Sequence, residues 1–393
     1  MTQGSTKRAR AQAARAWFAA GFAATLAVRL ALFPFVSGDT KGDMIPWTEF
    51  IREHGAWRSL AGDFSNYPPL YLYLLTLAAW LPLPPLYAIK TVSVVFDYVL
   101  AWYVSQIVGL EGGSRNRGRA AMLAVLFLPT VVMNSALWGQ CDAMYASGVV
   151  ACVYYLLRRQ PVAAMVAWGV AWSFKPQAVF LSPLVLVLLL EGRFSPLLLY
   201  LVPGVYLALA VPAWAAGRPF GDLVLMYAHQ RILPFPCLTL GATNIYQWLP
   251  GAPFDVFFPI GLGLAGLCAL GLVGVVWLRH RPRLDNPTVL RTALVSLVLM
   301  PYVLPAMHER YFFAADALAV AFAFWVRGGW GVAVLIQVAS AFTYLPYLFG
   351  IEPVPRPLLA VVMGVALVWC GWPLMRKRNE PNRAERGLTV KVS

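Results

Sequence analysis

The sequence predicts an all-α integral membrane protein with about twelve transmembrane helices. Three observations carry this. Hydrophobic residues make up 60% of the 393 residues, and charged residues only 12%, against about 25% in ordinary soluble chains. Mean hydropathy is +0.66. Apolar runs recur at about 20 residues, the length that crosses a hydrocarbon core of about 30 Å.

The elements follow in order. The first span, near 14–36, has no small-residue cleavage site after it and reads as a retained helix rather than a signal peptide. Further spans are expected near 86–108, 119–136, 142–157, 161–175, 178–190, 195–213, 256–278, 288–306, 311–326, 329–349 and 357–374. Prolines 176, 183, 203, 212, 301 and 305 predict kinked or broken helices among them. Residues 37–85 form the first external loop. Within it, Trp47, Phe50, Ile51, Trp57 and Leu60 fall on one side of an expected interfacial helix, with Glu49, Arg52, Glu53 and Arg58 on the other. Residues 68–82 are apolar enough to span, but a thirteenth span would put the basic loops after Asp97 outside, against the positive-inside rule. They are read as a second interfacial helix. Residues 215–255 form the second external loop. With no internal repeat, residues 1–393 read as one polytopic domain whose tails, 1–13 and 375–393, are cytoplasmic.

Charge supports that orientation. The net charge is +14, but most of the 31 Lys and Arg residues sit in short interhelical loops and tails. That pattern points to a cell-membrane protein whose surroundings are membrane lipids, not to a nucleic-acid binder. Of 17 acidic residues only Glu111, Glu191, Asp285, Glu380 and Glu385 fall on the cytoplasmic side. Chemistry is therefore expected at the outer face. The five cysteines have neither disulfide nor zinc spacing, and no metal-ligand cluster or cofactor motif stands out.

Polar groups crowd several places where apolar runs should be joined by bland loops. Asp39 and Asp43, just beyond the first span, could accept a proton from an alcohol or be ordinary loop or capping residues. In the tight turn Trp138-Gly139-Gln140-Cys141-Asp142, Trp138 offers a face for a sugar ring, while Gln140 and Asp142 suit hydroxyls. Asp142 equally suits a helix cap. Lys175, before Pro176 and Gln177, is a cation at the outer boundary suited to phosphate or to lipid headgroups. His308-Glu309-Arg310 is compressed between two spans, where ionisable residues are functional candidates; a Glu309–Arg310 pair is the plainer reading. His229, Arg231, Asn244 and Tyr246 in the second external loop have sugar-phosphate chemistry. Arg29 and Asp97 are expected to pair between the first two spans.

The order of these motifs, from Gly38-Asp39 and Gly42-Asp43 through Trp47, Tyr67-Pro68-Pro69-Leu70-Tyr71, Trp138-Gly139-Gln140-Cys141-Asp142 and Phe174-Lys175-Pro176-Gln177 to His308-Glu309-Arg310, resembles the GT-C superfamily of integral-membrane glycosyltransferases. The likeness runs from about 35 to 315. It implies transfer of a hexose, mannose or glucose, from a polyprenyl-phosphate carrier to a lipid-linked glycan or other glycan acceptor. The reaction inverts the sugar at the outer face and takes no nucleotide sugar. It also implies an aspartate base, Asp39 or Asp43. The chemistry of the residues themselves assigns the phosphate to Lys175, Arg310, His308 and Arg231, and the sugar or acceptor to Tyr67, Trp138, Gln140, Asp142, Gln177, His229, Asn244, Tyr246 and Glu309; of these the resemblance matches Lys175, His308, Glu309 and Arg310 to family motifs. The turn departs from the pattern of the eukaryotic relatives, with Trp138-Gly139-Gln140 where they have a His-Phe-Gln type. The rival is a transporter or flippase of a lipid-linked sugar, which should show two-fold internal similarity and ionisable groups near the midplane.

Overall fold

The structure, a computed structural model, describes residues 2–112, 115–229, 236–280 and 284–376. Helix α1 (Thr2–Leu32) ends in a turn whose carbonyls at Leu32, Phe33 and Phe35 accept from the buried Lys90 Nζ at 3.3, 3.0 and 2.6 Å. Those acceptors would otherwise be orphaned at a buried helix end. A π-helical turn, Thr40–Met44, leads into α2 (Ile45–His54) and α3 (Ala56–Ala61). The single amphipathic helix expected over Trp47–Leu60 is thus two. Gly55, at φ +80°, breaks it, a conformation that costs glycine little. The expected second interfacial helix is α4 (Pro69–Trp80). Arg52 ties α2 to its end, donating to the carbonyls of Ala79 and Leu83.

Helix α5 (Pro85–Gly109) is followed by α6 (Arg115–Leu126) and α7 (Pro129–Val132), which continues as a π-helical segment, Met133–Trp138. The bend between α6 and this continuation is 56°, at Pro129. Then come α8 (Asp142–Leu157), α9 (Pro161–Phe174), α10 (Ser182–Leu190) entered through a 3-10 turn at Pro176–Leu181, and α11 (Leu201–Ala215) entered through Pro196–Tyr200. The chain continues with α12 (Phe220–His229), strand β1 (Thr239–Leu240), α13 (Phe254–Arg279), α14 (Asn286–Val303), β2 (Met307–His308), α15 (Phe313–Trp325), α16 (Gly329–Phe349) and α17 (Arg356–Met375).

The all-α membrane class stands: six described helices are long and apolar enough to cross a membrane, and α6 with its bent continuation makes a seventh. Each of the other segments read as spans is also helical. Length separates two groups. The shorter α8 and α15 are apolar on every side, and all of α8 except Tyr155 is buried. A helix hydrophobic all round belongs inside a bundle. Peripheral α13 and α17 instead leave Leu267, Leu270 and Trp369 more than half exposed, the surface expected to meet lipid. The expected Arg29–Asp97 pair forms at 2.8 Å with both side chains fully buried.

Candidate active site

Local backbone chemistry brings the two loops after α1 and before α8 together. Ser37 and Thr40 both donate from their hydroxyls to the carbonyl of Trp138, at 2.7 and 2.6 Å. The next residue is Gly139, at φ +82°, where a Cβ would lie 2.8 Å from Thr40 Oγ1. Only glycine fits there. The clamp sets Trp138 and Gln140 against Asp39. Trp138 Nε1 donates to Asp39 Oδ2 at 3.1 Å, and Gln140 Nε2 donates to the same oxygen. From α16, the Tyr347 hydroxyl donates to Asp39 Oδ1 and accepts from the Asp39 N–H at 3.0 Å. Asp39 remains half-buried rather than sealed. Asp43, one turn on, is exposed. Its carboxyl is raised above the usual range, first by partial burial and then by the charge of Asp39.

A second carboxylate organises the cations. Asp142 is the first residue of α8, but its side chain does not cap that helix. The expectation of a cap is corrected: its oxygens face Lys175 Nζ at 2.6 Å, Asn134 Nδ2 at 2.8 Å and Arg310 Nε at 3.5 Å. Lys175 reaches this point because Pro176 ends α9 one residue earlier. Arg310 also pairs with Glu309, Nη1 to Oε1 at 2.9 Å. Burial alone would raise the Glu309 carboxyl; His308, 3.7 Å away, and the charge of Arg310 override it and hold the carboxyl below its ordinary value. His308 lies on β2, which pairs in parallel with β1.

Trp138 joins the two halves. Its indole bonds Asp39 while the Arg310 guanidinium lies 5.2 Å from its ring centroid. Lys175 in turn sits 5.4 Å from the centroid of Tyr67, which packs on Trp47 and Tyr71. A continuous path of contacts therefore runs Asp39–Trp138–Arg310–Asp142–Lys175–Tyr67. Trp138 itself is fully buried, with Tyr347 stacked on it at 4.6 Å. Tyr347 covers one face of the indole, whose N–H donates to Asp39.

Other expected residues fall differently. Gln177 is buried in the turn after Pro176, beside Tyr311. Asn244 and Tyr246 spend their donors on the carbonyls of Leu304 and Val303, bracing the segment that leads to His308. Arg231 and the side chain of His229 lie outside the described residues. Among the described residues, no three His, Cys, Asp or Glu side chains gather as a metal site. Tyr347, Asn134, Ser37 and Thr40 were missed from the sequence. A tyrosine near the end of a span facing the polar loops was a legible signal for Tyr347; the others are ordinary polar residues whose roles exist only in the fold.

The model of glycosyltransferase family 87 matches residues 64–305, more than half of the chain. That range holds Tyr67, Trp138, Gln140, Asp142 and Lys175, whereas Asp39 and His308–Arg310 lie just beyond its two ends. No curated protein matches the chain.

Proposed function

The chain belongs to glycosyltransferase family 87, a GT-C-like family of membrane glycosyltransferases, and from that premise we propose that it moves a hexose from a polyprenyl-phosphate carrier to a hydroxyl of a lipid-linked glycan or other glycoconjugate. Mannose or glucose is the sugar we assign. About twelve helices would span the membrane, residues 1–393 forming one polytopic domain with both termini cytoplasmic and the site at the outer face. The short central helices fit this arrangement. The 16 residues of α8 rise about 24 Å, so its first residue, Asp142, would lie recessed from one face of a core of about 30 Å.

Asp39 is the general base. Among the described residues, the side-chain donors to its carboxylate are the neutral groups of Trp138, Gln140 and Tyr347, and no cation is ion-paired to it. The acceptor hydroxyl oxygen forms a bond to the anomeric carbon as the bond from that carbon to the phosphate oxygen breaks. The hydroxyl proton goes to Asp39, and the electron pair leaves with the phosphate. Inversion follows from a single displacement. Lys175 and Arg310 receive the returning charge. Among the described residues, Lys175 ion-pairs with Asp142 through one N–H, and Arg310 pairs with Glu309 through Nη1 and faces Asp142 through Nε; the remaining N–H groups of Lys175 and of the Arg310 Nη atoms are the donors assigned to phosphate. His308, a third exposed, is placed to assist them.

The observation that carries this reading is the single path of contacts joining Asp39 to both cations. The test is transfer by purified protein from a panel of polyprenyl-phosphate hexoses, with Asp39→Asn and Asp43→Asn side by side. Transfer by wild type, lost in Asp39→Asn and kept in Asp43→Asn, is expected. Full transfer by Asp39→Asn removes that residue from the mechanism.

A further inference from the structure

We propose that the end of the bundle away from Asp39 binds the phosphate of an anionic lipid headgroup, in a cavity of about 410 Å3 between α5, α6 and α8. The start of α5 packs at the Asp39 end, where Lys90 holds the turn after α1. Its 25 residues rise about 37 Å, which carries Gly109 a membrane's width away. There Ser105 and Gln106 of α5, Arg115, Arg119 and Met122 of α6, and Tyr154 of α8 line the cavity. The grooves beside α17 and α13 are lined mainly by Trp, Val, Leu and Gly and, among the described residues, hold no charged side chain.

The charges in this corner are unequally committed. Arg117 has a charged partner, its Nη2 donating to Glu111 at 3.0 Å and to the carbonyl of Phe324 at 2.6 Å. Arg119 lies 5.4 Å from the Phe18 ring centroid and makes only a 3.5 Å contact with Asn116. Arg115 has no partner among the described residues and is exposed. Arg158 stacks behind the Tyr154 wall, 5.6 Å from its centroid. Among the described residues, no carboxylate lines the cavity. Two arginines thus line it with no carboxylate partner among the described residues, Arg115 in the positive first turn of a 12-residue helix and Arg119 in the next.

Two features favour a lipid over a soluble phosphate. Leu110 and Met122 give the cavity an apolar side next to its arginines, and Trp102, nearly half exposed two turns back on α5, marks the membrane boundary. Gly118 lets α6 close on α5, since a Cβ there would meet the carbonyl of Ser105 at 3.2 Å. A basic recess between span ends is the usual seat of an anionic headgroup.

The test is native mass spectrometry on the detergent-purified full chain with phosphatidylglycerol, phosphatidylcholine, glycerol 3-phosphate and inorganic phosphate. Phosphatidylglycerol is expected to bind in preference to phosphatidylcholine. The double substitution Arg115→Gln with Arg119→Gln is expected to weaken it about 30-fold, while Arg327→Gln, an exposed arginine outside the cavity, leaves it unchanged. An unfolding midpoint for the double variant equal to wild type in phosphatidylcholine nanodiscs separates lost binding from lost folding. Equal retention of both lipids, retention of phosphatidylglycerol by the double variant, an equal loss in Arg327→Gln, or displacement by inorganic phosphate at matched concentration each overturns the proposal.

Discussion

Two carboxylates at the same end of the bundle sit in opposite surroundings. Asp39 is half-buried and ringed by uncharged donors from Trp138, Gln140 and Tyr347. Asp142 is fully buried between Lys175 and Arg310, with Asn134 as a third partner. The difference separates two jobs that proximity alone would confuse. A proton arriving at Asp39 leaves no ion-paired cation without its partner, because the side-chain donors around it are neutral. A proton arriving at Asp142 would leave two buried cations short of a partner, which low-dielectric surroundings penalise heavily. Asp142 is therefore suited to hold the cations in place, and Asp39 to exchange a proton.

Mutations can break that contrast. The largest effect is expected from Asp39→Asn, a loss of about 10²–10⁴-fold in the transfer rate with no change in unfolding midpoint. A shifted midpoint with intact transfer would reverse the two assignments. Asp142→Asn should do the opposite at the level of stability, costing about 3–5 kcal/mol by stranding buried cations, read as a drop in the thermal midpoint in detergent. Gly139→Ala sharpens the comparison, because it acts on the Thr40–Trp138 clamp beside Asp39 and alters no side chain that pairs with Lys175 or Arg310. The left-handed backbone costs a side chain about 1–2 kcal/mol, and the clash with Thr40 should pull Gln140 from Asp39 and lower transfer. Tyr347→Phe removes one donor from Asp39, a loss of about 1 kcal/mol, or roughly fivefold in rate.

The smallest effect is one of pH. The Glu309 carboxyl is held below its ordinary value of 4.5. The stability it contributes is fully present above that value and is lost as pH falls through the lowered one. Acid melts of wild type should show this loss, and Glu309→Gln should lack that component. An unchanged acid limb in the variant would mean that Glu309 does not hold Arg310.

Much of the site was legible because membrane-facing sequence is chemically plain. In such a chain Asp39, Lys175 and the His308-Glu309-Arg310 run are conspicuous, and Pro176 already implied that α9 would stop at Lys175. Roles were less legible than positions. Trp138 looked like a sugar platform, since an exposed and a buried tryptophan are identical in sequence. Asn244 and Tyr246 looked like ligand contacts, but they brace Val303 and Leu304. Tyr347 stands more than 300 residues from Asp39, and no local pattern joins them.

Hydrophobicity, helix length and the placement of basic loops follow from one-dimensional patterns, and by themselves they determined the all-α membrane class and which ionisable groups are too costly in such surroundings to be incidental. Which carboxylate meets neutral donors and which meets cations depends on contacts between distant segments, made by the Ser37–Thr40 clamp on Trp138 and the pairing of Asp142 at the start of α8 with Lys175 and Arg310. Only the tertiary structure decided that, because pairing energy depends on separation and burial, and neither is written in the order of residues.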